Sequence, residues 1–181
     1  MALDTFLVIA NTYDNVDDAV ADYEAVLDVW RTTDLGDTFD AAVVSHNDDG
    51  QVKIVRRHEQ PTIQGSELGL GVGLAVGALA ALFPAIGIGA GLLVGAAGGA
   101  GLGALAGHVA GGMSRGDLKD LGELLDDGQS GLLVVAAQDT EARIDKAVTR
   151  GKKAVKKQLR ANEKDLEAAV DEAVEEAAAG E

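Results

Sequence analysis

Few residues of this 181-residue chain stand where chemistry could use them. His46 and His58 flank a predicted hairpin, but neither has a second ligand or an acid/base partner at a workable spacing, so both read as surface histidines at strand ends. Asp17 and Asp18 form an acidic pair suited to a cation. Their position just after Asp14 and Asn15, at the start of a helical pattern, fits capping and dipole compensation instead. Asp48-Asp49-Gly50 opens like a calcium loop yet lacks the later Glu and the alternating ligands. Gly99, Gly101 and Ala104 match the relaxed dinucleotide fingerprint, with no strand leading in and no acid at ribose distance. Arg115-Gly116-Asp117 spells an integrin-type tripeptide in a chain with no secretion signal, where it begins a helix. His108, beside a run of small residues, reads as hydrogen-bonded packing before it reads as the lining of a polar path. No nucleophile with base and orienter, no catalytic carboxylate pair and no ligand cluster can be assembled. The expectation is no catalytic residue, no metal, no cofactor and no enzyme.

The chain is organised around an apolar block at 65–114. No charged side chain falls between Glu67 and Arg115, and 16 of the 24 glycines lie inside it. Gly87, Gly91, Gly95, Gly99, Gly103, Gly107 and Gly111 recur every four residues, preceded by Gly69, Gly73 and Gly77 with Ala81 in phase. Residues four apart share one helical face, so these glycines form a bare groove that another backbone can approach closely, as small residues do between helices in lipid. Phe83-Pro84 divides the block into predicted helices over 67–82 and 85–112. At about 1.5 Å per residue they measure roughly 24 and 42 Å, one slightly short and one long for a bilayer crossing. A helical hairpin fits better than two unrelated spans. If the segments before and after the block share one folded domain, both ends emerge on the same side. Arg56, Arg57, Arg115 and Lys119 place that side in the cytoplasm. Against membrane insertion stand the lone aromatic Phe83 and the low apolar area of Gly95 to Gly101. The competing expectation is a hairpin packed against copies of itself in a soluble assembly.

The flanks must then supply the domain. Thr5 to Ala10 reads as a buried strand, and Val16, Ala19, Val20, Tyr23, Val26, Leu27 and Trp30 stripe a helix capped by Asp14 or Asn15. Ala41 to His46 and Val52 to Arg57 read as strands joined across Asn47-Asp48-Asp49-Gly50. Leu118, Leu121, Leu124 and Leu125 stripe a helix that starts near Ser114 and stops at Gly128, and Gly131 to Ala137 is a further buried strand. With the hairpin removed, the order is βαββαβ on one antiparallel sheet, the ferredoxin-like arrangement, giving an α+β fold class.

Residues 139–181 predict one long amphipathic helix capped by Thr140. Ile144, Val155 and Leu166, then Val148, Leu159 and Val170, repeat at eleven residues, a period that favours a nearly straight helix. Arg143, Lys146, Arg150, Lys153, Lys157 and Arg160 alternate at steps of three and four and form a basic stripe, while acids dominate from Glu163 onward. Such a stripe suits an anionic lipid surface or a neighbouring subunit, as well as a solvated face.

Composition bounds the function. The net charge of −15 opposes nucleic-acid binding, and the absence of cysteine excludes disulfides and thiolate chemistry. The opening MALDTFLVIAN carries no basic leader and does not read as a signal peptide. Four parts follow: 1–64 and 115–138 as the split domain, 65–114 as the hairpin and 139–181 as the charged helix.

Together, the FLVIANTYDNVDDAVADYEAV opening, the AAVV and NDDGQVKI hairpin, the glycine-lined insertion and the DLKDLGELLDDGQSGLLVVAA segment resemble an uncharacterised bacterial membrane-protein family known by a domain-of-unknown-function label. The glycine block alone is similar to the glycine-zipper domains of stress proteins. The likeness spans about residues 5–138 and implies a membrane-associated protein with a small cytoplasmic domain, without catalytic residues to carry over. The expected function is a non-enzymatic, self-assembling structural protein at the cytoplasmic membrane, partnered by itself and the bilayer. A soluble particle or filament, a small pore and, last, a ligand sensor are the alternatives.

Overall fold

The computed structural model describes residues 4–32, 39–46, 52–58, 107, 111–127, 129–161, 165 and 168. The two predicted helices of the apolar block lie outside these residues except at the end of the second, as do Gly69, Gly73, Gly77, Gly87, Gly91, Gly95, Gly99 and Gly103.

Strand formers and helical stripes produce the expected elements up to the middle of the C-terminal segment. In order these are β1 (Asp4–Tyr13), α1 (Val16–Thr32), β2 (Phe39–His46), β3 (Val52–His58), α2 (Arg115–Asp127), β4 (Ser130–Ala137), a 3₁₀ turn (Gln138–Thr140), α3 (Glu141–Ala147) and β5 (Lys153–Ala161). The chain is α+β, with a five-stranded antiparallel sheet in the order β3-β2-β4-β1-β5. Strand β4, which follows the apolar block, lies between β1 and β2, which precede it. The segments on either side of the block therefore belong to one sheet.

Alternation along the strands divides the core between two faces. Leu7, Ile9, Tyr13, Phe39, Ala41, Val43, Leu132, Val134 and Ala136 pack against Ala19, Tyr23, Val26 and Leu27 of α1 and Ile144 of α3. The alternate residues, among them Phe6, Val8, Ala10, Leu133 and Val135, are equally buried and look toward α2, whose Leu121 and Leu125 are fully covered. This explains why β1 and β4 read as continuous apolar runs: both of their faces are covered. Between β2 and β3 the register slips by one residue at Val43/Val44, leaving Val55 as the bulged residue packed on the α1 face. Among the described residues the elements from β1 to β4 follow in the order βαββαβ, and β4 rather than β3 takes the place between β1 and β2. Helices α1 and α2 lie on opposite faces, and a fifth strand extends the sheet.

Local chemistry fixes the helix starts. Asn15 caps α1, its Oδ1 accepting from the Asp18 N–H at 2.8 Å while its Nδ2 donates to the Asp18 carboxylate at 2.8 Å. Ser114 caps α2 by accepting from the Asp117 N–H at 3.0 Å.

The single helix expected over 139–181 is corrected. Helix α3 is seven residues long, Val148 is extended, and the chain returns as β5. Thr140 stands at the N-cap position, but its hydroxyl donates to the Ala137 carbonyl at 2.7 Å and caps nothing. The physical reason is burial. As a strand, this segment covers the open edge of β1 over nine paired residues and buries Leu159 and Ala161 beside Phe6 and Asp4. A solvated helix would leave that edge unpaired.

Candidate functional site

The chemistry-bearing residues converge where the basic C-terminal segment meets the acidic body. Residues 143–160 hold eight of the chain's 15 basic side chains and one acid, Asp145, within a protein of net charge −15. The strand alternation of β5 sends neighbouring lysines to opposite faces of the sheet. Lys156 reaches back to Glu141 at 2.9 Å and to Asp145 on α3. Lys157 crosses to the other face and binds Asp117 at 2.9 Å and Asp120 at 2.7 Å on α2. Two adjacent residues of one strand thus hold two helices in different layers.

Titration follows from these contacts. Hydrogen bonds to Asp145 and Glu141 raise Lys156 above the ordinary lysine range, and bonds to Asp120 and Asp117 raise Lys157. Hydrogen bonds from Lys157 and Ser114 lower the Asp117 carboxyl.

At the start of the segment the contact is buried. Asp22 of α1 has no exposed surface and accepts three hydrogen bonds. They come from the Tyr13 hydroxyl at 3.1 Å, the Arg150 backbone N–H at 2.9 Å and the Arg150 guanidinium at 3.0 Å. Arg150 also lies 3.9 Å from Asp18, and Lys152 pairs with Asp14. Burial, followed by the neighbouring Asp22 charge, pushes the Tyr13 phenol well above its ordinary value, so it stays protonated. Asp22 is saturated by its donors and closed to solvent, which makes this arrangement a staple between α1 and the loop before β5.

The expected basic stripe therefore does not form one face. Arg150, Lys156 and Lys157 are engaged with acids of this chain, and Lys153 also has a partner. Arg143 and Lys146 stand exposed on α3 and Arg160 exposed on β5. Sequence reasoning missed Tyr13, Asp22, Asp117 and Asp120 as their counter-ions and partners. The available signal was that Asp22 falls within the apolar stripe of α1, one residue before Tyr23.

Of the expected helix-packing glycines, Gly107 and Gly111 are described. Both are helical and exposed, with no atom within 4 Å of the place an added Cβ would take. The glycine on which packing depends is their neighbour Gly112. There a Cβ would stand 2.6 Å from Leu159 Cδ1 and closer still to the Arg160 carbonyl oxygen. The end of the apolar block is thus seated directly on β5, and only glycine fits.

His46 ends β2, with its backbone N–H donating to Gln129 at 3.0 Å; His58 ends β3, and His108 lies outside the described residues. Two open grooves flank β5. One of about 510 Å³ is lined by Asp120, Glu123, Leu124, Lys153, Val155 and Lys157. The other, of about 220 Å³, is lined by Ile9, Asn11, Val148, Gly151 and Lys152. Asn11, itself buried, leaves its Nδ2 without a protein partner. Among the described residues no helix is long and apolar enough to cross a membrane. No protein-family model matches this chain, and neither a curated protein nor a solved structure does so.

Proposed function

We propose that the protein is a non-enzymatic, membrane-associated assembly protein whose apolar hairpins pack together through their glycine grooves. Its folded domain stays on the cytoplasmic side of the membrane. The observation that carries the reading is the unbroken four-residue glycine series from Gly87 to Gly111. Its last two members, Gly107 and Gly111, leave their bare side unused by the domain. A face without side chains gains little in water and much from a second backbone at close range. Connectivity supports a hairpin over a single span. Strand β4 returns between β1 and β2, so both ends of the block join the same sheet. The likeness to an uncharacterised bacterial membrane-protein family belongs to the same proposal.

Flotation of the intact chain with lipid vesicles, beside a chain lacking residues 66–113, tests it. The intact chain is expected to float and to resist carbonate extraction, and the shortened chain to remain in the soluble fraction. Gly95→Leu with Gly99→Leu should abolish the oligomer seen by cross-linking. An intact chain recovered soluble after a carbonate wash defeats the membrane reading and leaves a soluble assembly. Unchanged cross-linking of the double variant shows that the groove is not the contact surface.

A further inference from the structure

We propose that residues 141–161 form a two-state element. Docked, they are α3 and β5 at the edge of the sheet; released, they are one amphipathic helix lying on an anionic lipid surface. The inference rests on the membrane-associated reading above and adds a lipid class and a moving part to it.

Three observations converge. The first is a conflict between composition and conformation. The β5 sequence KAVKKQLRA has one β-branched residue, Val155, among lysine, alanine and glutamine, which are weak in strands and good in helices. Such a segment is a strand only because its surroundings overrule it. The second is the way it is held. Among the described residues β5 is an edge paired with β1 alone, and much of what ties the element to the rest of the domain is ionic: Arg150 to Asp22 and Lys152 to Asp14 just before the strand, and Lys157 to Asp117 and Asp120 within it. The phosphates of an anionic leaflet offer these cations the same kind of partner at high density. The third is double use of the apolar residues. Ile144 and Leu159 are buried in the docked state. On a continuous helix Ile144, Val148, Val155 and Leu159 follow at steps of four, seven and four and share one face. Arg143, Lys146, Arg150, Lys153, Lys157 and Arg160 then occupy another, the pattern of a surface-bound helix. Gly151 weakens that helix and supplies the hinge between the two forms.

Release would be felt by the apolar block. Gly112 is seated on Leu159 and the Arg160 backbone, and Lys157 holds the first turn of α2. When β5 leaves, both restraints on the exit of the block go with it. Lipid charge and hairpin position are thereby coupled through one strand.

The full chain is reconstituted in vesicles of phosphatidylcholine and in vesicles that also contain phosphatidylglycerol. Flotation and backbone hydrogen exchange are measured on both. The alternate amides of β1 that face β5 should exchange about tenfold faster on the anionic vesicles, while those that face β4 keep their protection, and helicity should rise. A second variant keeps the test independent of exchange. Thr5→Cys with Arg160→Cys places a pair of facing residues of the β1/β5 ladder in a chain with no other cysteine. Oxidised, it should lose the helicity gain, and reduction should restore it. Unchanged β1 exchange on floating protein, or a helicity gain that persists in the oxidised variant, overturns the proposal while leaving the membrane reading intact. Failure to float on either vesicle counts against the membrane reading itself. An equal response to soluble polyglutamate assigns the cations to acidic polypeptides and rejects lipid.

Discussion

Replacing Arg150 with Met tests the staple around Asp22, because it removes the guanidinium and keeps most of the apolar stem. The Asp22 carboxylate has no exposed surface and would keep two of its three donors, the Tyr13 hydroxyl and the residue-150 backbone N–H. Breaking a fully buried ion pair costs about 3 to 5 kcal/mol. The Arg150 side chain is 47% exposed, so water reaches one side of the pair and the loss falls at or below the lower end, about 2 to 3 kcal/mol. Tyr13→Phe removes one donor to the carboxylate and leaves both bonds from Arg150, a loss of about 1.5 kcal/mol. Trp30 is the only tryptophan and stacks on Phe39 with ring centroids 6.0 Å apart, joining α1 to β2. Its fluorescence during urea unfolding reads both values. The double variant Asp22→Ala with Arg150→Met should fall short of the sum of its singles by about 1 to 2 kcal/mol, since each already removes the same contact. A cost of Arg150→Met within about 0.5 kcal/mol of wild type, or no larger than that of Tyr13→Phe, would refute the assignment of Asp22 as a buried, charge-paired hub.

Two further outcomes follow from the same geometry. Gly112→Ala drives a Cβ into the Arg160 carbonyl, which cannot swing aside, and should cost about 1 to 3 kcal/mol by urea unfolding. Gly111→Ala meets nothing and should stabilise the isolated fold by up to about 1 kcal/mol through helix propensity, so equal effects at the two sites would contradict the seating of Gly112 on β5. The pH dependence of stability should be flat between about 5 and 9 and should fall on both sides. Lys156, Lys157 and Tyr13 are raised in the fold, so their contribution is complete below the unfolded values of 10.5 and 10.0 and is lost as pH climbs through the folded ones. Asp117 is lowered, so its contribution is present above the unfolded 3.8 and is lost as pH drops through the folded value. Lys157→Met should flatten part of both limbs in a urea-midpoint profile, and an unaltered acid limb would show that Asp117 does not depend on it.

What was legible in the sequence was whatever one face decides. Val16 to Trp30 shows its helical stripe because one side of α1 is buried, and β1 and β4 show unbroken apolar runs because both sides of each are. Strand β5 was not legible, because its sequence carries a helix period and helix formers. What makes it a strand is the unpaired edge of β1, a partner some 150 positions earlier in the chain that no local window contains. The site was hidden for a related reason. A carboxylate such as Asp22 reads as solvent-facing until Tyr13 and Arg150 arrive from elsewhere, 9 and 128 residues away. Arg115-Gly116-Asp117 does begin α2, but the lysine that Asp117 binds lies on β5, where the local sequence predicts a helix.

The glycine pattern shows how the same residue type can answer two different demands. Periodicity singled out Gly107 and Gly111 and said nothing of Gly112, which is out of phase with the series. Yet Gly112 is the one whose missing side chain the folded domain uses, and the two in-phase glycines are left bare. The end of the block thus carries two kinds of glycine. Its out-of-phase glycine fastens the end of the apolar block to β5, and its in-phase glycines keep a smooth ridge pointed away from the domain. A glycine inside a helix costs about 1 kcal/mol relative to alanine, and Gly107 and Gly111 are two such residues with an open side. On the assembly reading proposed above, substitutions at Gly107 and Gly111 should weaken assembly before they weaken folding, because the described part of the domain makes no contact there.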